Sequence, residues 1–229
     1  MPGLMPRQQR PEMNQVVSEY LRNQYFPGGD LQSQLVRLTL YRLLAAGQPV
    51  PLYELARESE FDLATTEQVI ASVEPTRLRF DAEGQITAFA GLSLAPTNHQ
   101  LETDTSLLHT WCVFDALFLP ELLESRARIS SKCPTTGRDI RVDVDRAEVK
   151  SASPTNLVMS FIMPSEQARC DDLRSSFCNH VNFFTSRDVA ASWLAENPAG
   201  ELLTLDEAME MAAVRNHQAF GLAVGKVTE

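Results

Sequence analysis

The segment Trp111-Cys112-Val113-Phe114-Asp115 lies inside a long apolar run at 107–120, and the rest of the chain can be organised around it. A carboxylate in so apolar a segment is costly to bury unless it is paired or protonated. If the segment is helical, Cys112 and Asp115 stand three residues apart on one face and direct a thiol and a proton carrier into one pocket. A buried helix in which Cys112 acts as a small hydrophobe explains the same residues.

Composition narrows the class of protein. The chain has 229 residues, 44% of them hydrophobic, a formal net charge of −10 and a pI near 4.9, which argues against a partner such as nucleic acid or an anionic membrane. No apolar stretch reaches 18 residues, and 1–15 lack the apolar core of a signal peptide. We therefore expect a cytoplasmic protein whose four cysteines are reduced thiols. None of them forms the close pairs of a zinc ribbon.

The hydrophobic pattern predicts an α+β fold made of two parts. A flexible tail at 1–12 precedes a winged-helix-like module at 13–92, in which helices are followed by a β-hairpin. A polar connector at 93–102 then leads into a second α+β domain at 103–229 whose strands are mostly antiparallel. The expected helices of the first part are 14–24, 31–46, 52–59 and 67–73, and the hairpin strands are 78–80 and 86–90.

Turn and cap residues place these elements. Asp30 is typical of an N-cap, Pro51 of a first helical turn, and Thr65-x-x-Gln68 of a capping box. The helices at 31–46, 52–59 and 67–73 followed by a hairpin have the order of a winged helix, which would suggest DNA binding through the third of them, at 67–73. Glu67 and Glu74 lie on or beside that helix, however, and a helix that meets phosphates should be basic.

The pattern of the second part predicts short strands interspersed with helices. The clearest strand signal is at 140–144, where apolar and charged residues alternate. The expected strands are 126–133, 140–144, 157–163 and 181–185, and the expected helices are 171–177, 186–196 and 206–216, the last of them capped by Asp206.

Three kinds of chemistry use a cysteine with an acidic neighbour. A cysteine hydrolase needs a histidine base, and none of the four histidines lies in a local protease signature. A thiol redox protein would need two distant thiols to meet, because no C-x-x-C motif is present. A soft-metal site needs a second thiol opposite Cys112, and spacing alone leaves open which cysteine provides it.

Three motifs resemble those of the organomercurial (alkylmercury) lyases. The first is the W-C-x-x-D core at 111–115, followed by an apolar-proline pair. The second, A-R-I-S-S-K-C-P-T-T-G at 127–137, is similar to the family's A-R-V-S-S-x-C-x-x-T-G run. The third, R-S-S-F-C-N-H-V-N-F-F at 174–184, is similar to its R-x-S-F-C-x-H-V-x-F-F run. The resemblance covers roughly 103–220.

The resemblance implies roles for individual residues. Cys112, Asp115 and Cys178 match the family's catalytic trio, and Cys133 matches a cysteine regarded as structural. Trp111 is either a pocket residue or a core residue. Cys170 matches no motif position and is expected to be an ordinary thiol.

The activity implied by the resemblance is cleavage of a carbon–mercury bond by protonolysis, giving a hydrocarbon and Hg(II). Two thiolates would bind mercury while Asp115, whose pKa burial should raise, transfers the proton. No tightly bound cofactor is expected. Turnover should require excess small thiol, and mercuric reductase is the expected acceptor of Hg(II). The alternative is a non-enzymatic thiol sensor of heavy metals that regulates transcription.

Overall fold

Helices and antiparallel sheets combine in an α+β fold, as the sequence predicts. The structure is a computed structural model that describes residues 28–162 and 171–224. Within these ranges the α-helices are α1 (Leu31–Leu44), α2 (Leu52–Ser59), α3 (Leu63–Ala71), α4 (Val113–Leu122), α5 (Leu173–Ser176), α6 (Ala191–Glu196) and α7 (Leu205–Val224). The strands are β1 (Leu78–Phe80), β2 (Ile86–Phe89), β3 (Leu92–Ser93), β4 (His99–Thr103), β5 (Leu107–Thr110), β6 (Arg126–Lys132), β7 (Asp139–Asp145), β8 (Glu148–Ser153), β9 (Val158–Ile162), β10 (Phe183–Phe184) and β11 (Gly200–Thr204).

Side-chain caps set where the first helices begin. Asp30 accepts a hydrogen bond from the Ser33 amide at 2.8 Å, which confirms the predicted start of α1. The capping box predicted at Thr65 is wrong. Asp62 caps α3 instead, by accepting from the Thr65 amide at 2.7 Å, so the helix begins four residues earlier than expected.

One eight-stranded sheet is formed by strands between residues 78 and 153, in the order β1-β2-β3-β5-β4-β6-β7-β8 with antiparallel neighbours. Part of the predicted connector at 93–102 is therefore strand, because β4 pairs with both β5 and β6. Its polar residues are accommodated by partners: the buried His99 ring lies 2.9 Å from the Ser131 hydroxyl. The division into two domains at this point stays a prediction.

A smaller sheet, β10-β9-β11, and the helices α4 and α7 complete the core. Nearly every residue of α4 is buried, which explains why its sequence shows no amphipathic period. Helix α7 extends to Val224, eight residues beyond the predicted end at 216, whereas the helix predicted at 186–196 is helical only over α6. Strand β8 was not predicted, because its burial pattern is mostly exposed.

Several predictions fall on residues that the structure does not describe. They are the tail at 1–12, the helix at 14–24 and the surroundings of Cys170. Helices α1–α3 and the β1–β2 hairpin follow the predicted order, and the likeness of this part to a winged helix stays a prediction. Across 28–162 and 171–224, no helix combines the length and apolarity needed to span a bilayer.

Candidate functional site

Cys112, Asp115 and Cys178 converge in the interior. One ligand atom from each residue lies within 4.8 Å of the other two, and no histidine belongs to this group. The three side chains are only 0%, 7% and 3% exposed, respectively. The structure therefore selects Cys178 as the thiol that faces Cys112, a choice that spacing alone left open.

Cys112 occupies the N-cap of α4, at the junction with β5. The motif is a capping box in which a thiol takes the place usually held by serine or threonine. The Asp115 Oδ2 accepts a hydrogen bond from the Cys112 amide at 3.0 Å and lies 3.1 Å from the Cys112 Sγ, which donates to it. Two residues three positions apart are thus held together by the start of one helix.

Cys178 reaches the same point from a distant loop. It begins a short 3-10 turn, Cys178–His180, directly after α5. Ser160 of β9, itself fully buried, anchors the far side of this turn. Its hydroxyl donates to the His180 carbonyl at 2.7 Å and accepts from the Asn182 amide at 3.0 Å. The small sheet therefore fixes where the second thiol lies.

Burial controls the electrostatics of Asp115. Desolvation raises the pKa of this carboxyl group from 3.8 to about 6, because the charged form loses its hydration. Hydrogen bonds from Cys112 and the positive charges of Arg215 and Arg77 act in the opposite direction and limit the rise. Near neutral pH, Asp115 is consequently a buried carboxylate that can accept a proton.

The Cys112 thiol is held in its protonated form. Burial raises its pKa well above the ordinary value, and the hydrogen bond to Cys178 and the charge of Asp115 add to the effect. A helix N-terminus ordinarily helps to ionise a thiol, but here desolvation outweighs it. The resting site thus presents a thiol proton already aimed at a carboxylate oxygen.

Gly91 forms the wall behind Asp115, and sequence reasoning did not identify it. A Cβ atom added at this residue would collide with Cγ and Oδ1 of Asp115. Its φ of +107° also lies in a region that residues with a side chain rarely adopt. Its carbonyl accepts a hydrogen bond from the Trp111 amide at 2.8 Å, which ties the glycine to the segment that carries Cys112 and Asp115. The only signal in the sequence is a glycine directly after a predicted strand.

Apolar side chains close the pocket around the cluster. Trp111, Leu173 and Phe177 contribute to its lining, and the remaining cavity is about 10 Å³, close to the volume that one water molecule needs. Trp111 is 4% exposed, so it lies in the pocket wall and in the core at once. The guanidinium groups of Arg79 and Arg174 lie 5.6 and 5.9 Å from its ring centroid.

Cys133 lies elsewhere, outside this three-residue group. It is buried in a tight turn after β6, where its amide donates to the Arg138 carbonyl and its carbonyl accepts from the Gly137 amide, at 2.9 and 2.8 Å. This position agrees with the structural role expected for Cys133, which stays a prediction.

The geometry suits chemistry on a soft metal. Thiolate sulfur binds soft ions far better than carboxylate oxygen does, and two thiols lie close enough to share one ion. A carboxylate beside them can take a thiol proton and later release it. The absence of histidine from the group argues against the cysteine hydrolase, which needs an imidazole base.

Comparisons with known proteins agree with this chemistry. The family model described as alkylmercury lyase (MerB) matches residues 92–215. The chain is 34% identical to the alkylmercury lyase of Staphylococcus epidermidis over 82% of this chain and 85% of the relative. It is also 34% identical to that of Pseudomonas putida, over 79% of this chain and 82% of the relative.

A solved structure, the mercury-bound form of MerB2, has the same fold, with a TM-score of 0.71 over 90% of this chain and all of the other, at 21% identity. A thiol–carboxylate–thiol cluster, a family model across more than half of the sequence and relatives above 30% identity lead to one conclusion: this chain belongs to the alkylmercury lyase family of enzymes.

Proposed function

We propose that this protein cleaves the carbon–mercury bond of organomercurials by protonolysis, with Cys112 and Cys178 binding mercury and Asp115 transferring the proton. The observation that carries the proposal is the 3.1 Å contact from the Cys112 thiol to the Asp115 carboxylate, with Cys178 beside both. A proton donor, a proton acceptor and a second sulfur are held within one buried group.

The reaction begins with R–Hg–X, in which X is a thiolate or another exchangeable ligand. Cys112 gives its proton to Asp115 as its sulfur bonds to mercury, and Cys178 displaces X, which leaves as HX. Asp115 then protonates the carbon atom, and the electron pair of the carbon–mercury bond becomes the new C–H bond. The products are R–H and Hg(II) held by two thiolates, so one thiol proton ends on carbon and the other on X.

The proposal also covers the removal of Hg(II) after cleavage and the location of the protein. Excess small thiol removes Hg(II) from the two sulfurs, mercuric reductase receives it, and no tightly bound cofactor is needed. A cytoplasmic location is part of the proposal. It is supported by the three cysteines in the described ranges, which are all free thiols, as a reducing compartment would keep them.

Detection of the hydrocarbon tests the proposal. Purified protein is incubated with phenylmercury or methylmercury and excess small thiol, and benzene or methane is measured in the gas phase. Repeated turnover with one hydrocarbon per organomercurial is expected. Tight mercury binding without hydrocarbon would contradict the enzyme and favour the thiol sensor of heavy metals.

Gly91→Ala is expected to lower kcat for phenylmercury by about 100-fold, since a misplaced catalytic group commonly costs a factor of this size. The added methyl group must displace the Asp115 carboxyl from the thiols. Gly84→Ala is the matched control, because Gly84 also has a positive φ of +77° but nothing within 4 Å of an added Cβ. Equal turnover in the two variants would show that Gly91 does not position Asp115.

The pH dependence follows from the pKa of Asp115, which burial raises to about 6. Below that value the carboxyl group is already protonated and cannot accept the Cys112 proton. We expect kcat/KM for phenylmercury to be level above about pH 6 and to fall roughly tenfold per pH unit below it. Among the described residues, the charged and titratable groups near Asp115 include Cys112, Cys178, Arg77, Arg215 and Tyr41.

Circular dichroism at each pH value separates this loss from acid unfolding. Activity that instead increases as the pH falls from 7 to 5 would mean that Asp115 enters the reaction already protonated.

A further inference from the structure

A second cavity adjoins the catalytic pocket and has no part in the mechanism above. Its volume is about 170 Å³, far more than the roughly 10–15 Å³ that one water molecule requires. The two cavities share Arg77, Ala90 and Arg215 in their walls. We call this space the arginine cavity, after Arg37, Arg77 and Arg215, which line it.

The arginine cavity concentrates positive charge on an acidic protein. Three guanidinium groups line it together with the Glu74 carboxylate, which accepts from Arg77 at 2.6 Å, and Arg77 and Arg215 also act on Asp115 beyond the shared wall. Burial, together with the charge of Arg77, lowers the pKa of Arg37, and the exposed Asp30 carboxylate offsets this only in part. Like charges held close together in a partly desolvated space favour the entry of an anion.

Arg37 is held loosely enough to serve a ligand. Its two terminal nitrogens lie 3.5 Å from the Gly28 carbonyl and 3.4 Å from the Ser72 hydroxyl, beyond the usual range for such hydrogen bonds. Its Nε is buried and has no hydrogen-bond partner among the described residues. A buried donor without an acceptor is costly, so an anion within reach would supply a missing interaction.

The remaining walls select the kind of anion. The rings of Phe89 and Phe220 and the Tyr41 hydroxyl line the cavity beside the guanidinium groups. Tyr41 already donates to the Ala90 carbonyl at 2.9 Å and accepts from Arg215 at 3.3 Å, so it helps to hold the charged wall in place. Arginine recognises carboxylate through paired hydrogen bonds, and aromatic rings suit an organic body.

We propose that the arginine cavity binds the carboxylate of a small organic anion that takes part in the reaction at Cys112 and Cys178, with Arg37 as a direct contact. The inference rests on the proposed function for the identity of that reaction. The shared wall brings such a carboxylate close to the cluster. Two molecules could carry it: an organomercurial with an acidic substituent, or a carboxylated thiol that removes Hg(II).

Binding is tested first without mercury, by titrating the full chain with benzoate in a calorimeter. We expect benzoate to bind and benzamide, its neutral analogue, not to bind. Arg37→Gln should weaken binding at least tenfold, the loss of about one charge-assisted hydrogen bond. Ser72→Asp, at the exposed edge of the cavity, should also weaken it by placing a negative charge there.

Arg57→Gln is the matched control, because the side chain of this arginine on α2 is 65% exposed and pairs with the surface residues Glu54 and Glu58. Melting curves confirm that each variant is folded. Equal benzoate affinity in the wild type and in both cavity variants would overturn the proposal, as would binding of benzamide as tight as that of benzoate.

Two matched pairs of reactants then identify the source of the carboxylate. Mercaptoacetate is compared with mercaptoethanol in removing Hg(II) from loaded protein, and 4-carboxyphenylmercury is compared with phenylmercury as substrate. In each pair we measure the rate with the carboxylated reactant divided by the rate with the neutral reactant. In one pair, Arg37→Gln should lower this ratio at least tenfold. If the ratio were unchanged in both pairs, the carboxylate bound in the arginine cavity would take no part in the reaction.

Failure of the lyase itself is distinguishable from failure of this inference. A protein that releases no benzene contradicts the proposed function, whereas the benzoate titration and the removal of Hg(II) from loaded protein need no carbon–mercury cleavage.

Discussion

Cys112→Ser is expected to reduce benzene release from phenylmercury by at least about a thousandfold, the scale of loss when a nucleophile is removed. A hydroxyl oxygen is a hard ligand that binds Hg(II) far more weakly than a thiolate does, so the substrate would not be captured. Serine is itself a favoured N-cap residue, and the start of α4 should therefore survive the exchange. The loss would then belong to the sulfur rather than to the fold.

Cys178→Ser should reduce benzene release by a similar factor, because one thiolate bound to mercury leaves the carbon atom less basic than two thiolates do. Turnover is measured as benzene per protein per minute with excess thiol, and melting temperatures are recorded for each variant. Cys133→Ser is the matched control: it should lose stability while any folded fraction keeps its activity. A Cys112→Ser protein that released benzene at the normal rate would remove Cys112 from the mechanism.

Asp115→Asn is expected to keep mercury binding and to lose at least about 100-fold in kcat, the usual range for a group that transfers a proton. The amide retains the size of the carboxylate, and its oxygen can still accept from the Cys112 amide, so the capping geometry should persist. It has no basic site for the thiol proton. The acid limb of the pH profile should disappear with the carboxyl group.

Equilibrium dialysis against Hg(II) and gas-phase detection of benzene separate the two properties. Asp104→Asn provides the control, because it removes the same charge from an exposed aspartate in the bend between β4 and β5. If Asp115→Asn failed to bind mercury while remaining folded, Asp115 would have to be a metal ligand rather than a proton carrier.

The sequence by itself determined the features that depend on short-range geometry. The contact between Cys112 and Asp115 follows from an N-cap and the third residue of one helix, which the spacing of the two residues already contains. The start of α1 at Leu31 follows from Asp30 in the same way. The α+β class and the family were also accessible, because alternation and ordered motifs are written along the chain.

Only the tertiary structure decided which groups meet across long separations. Cys178 was one of three thiols that could have faced Cys112, and its place depends on a turn held by Ser160 of another sheet. Gly91 could not be recognised as the wall behind Asp115 from its neighbours in sequence.

The positive charges near Asp115 were equally hidden from sequence analysis. Arg77 precedes β1 and Arg215 lies on α7, yet both act on one carboxyl group. The chain also continues as sheet through a segment whose polar composition predicts a connector. The physical reason is common to these cases: local sequence sets caps and periodicity, whereas burial and charge at the site arise from packing between distant elements.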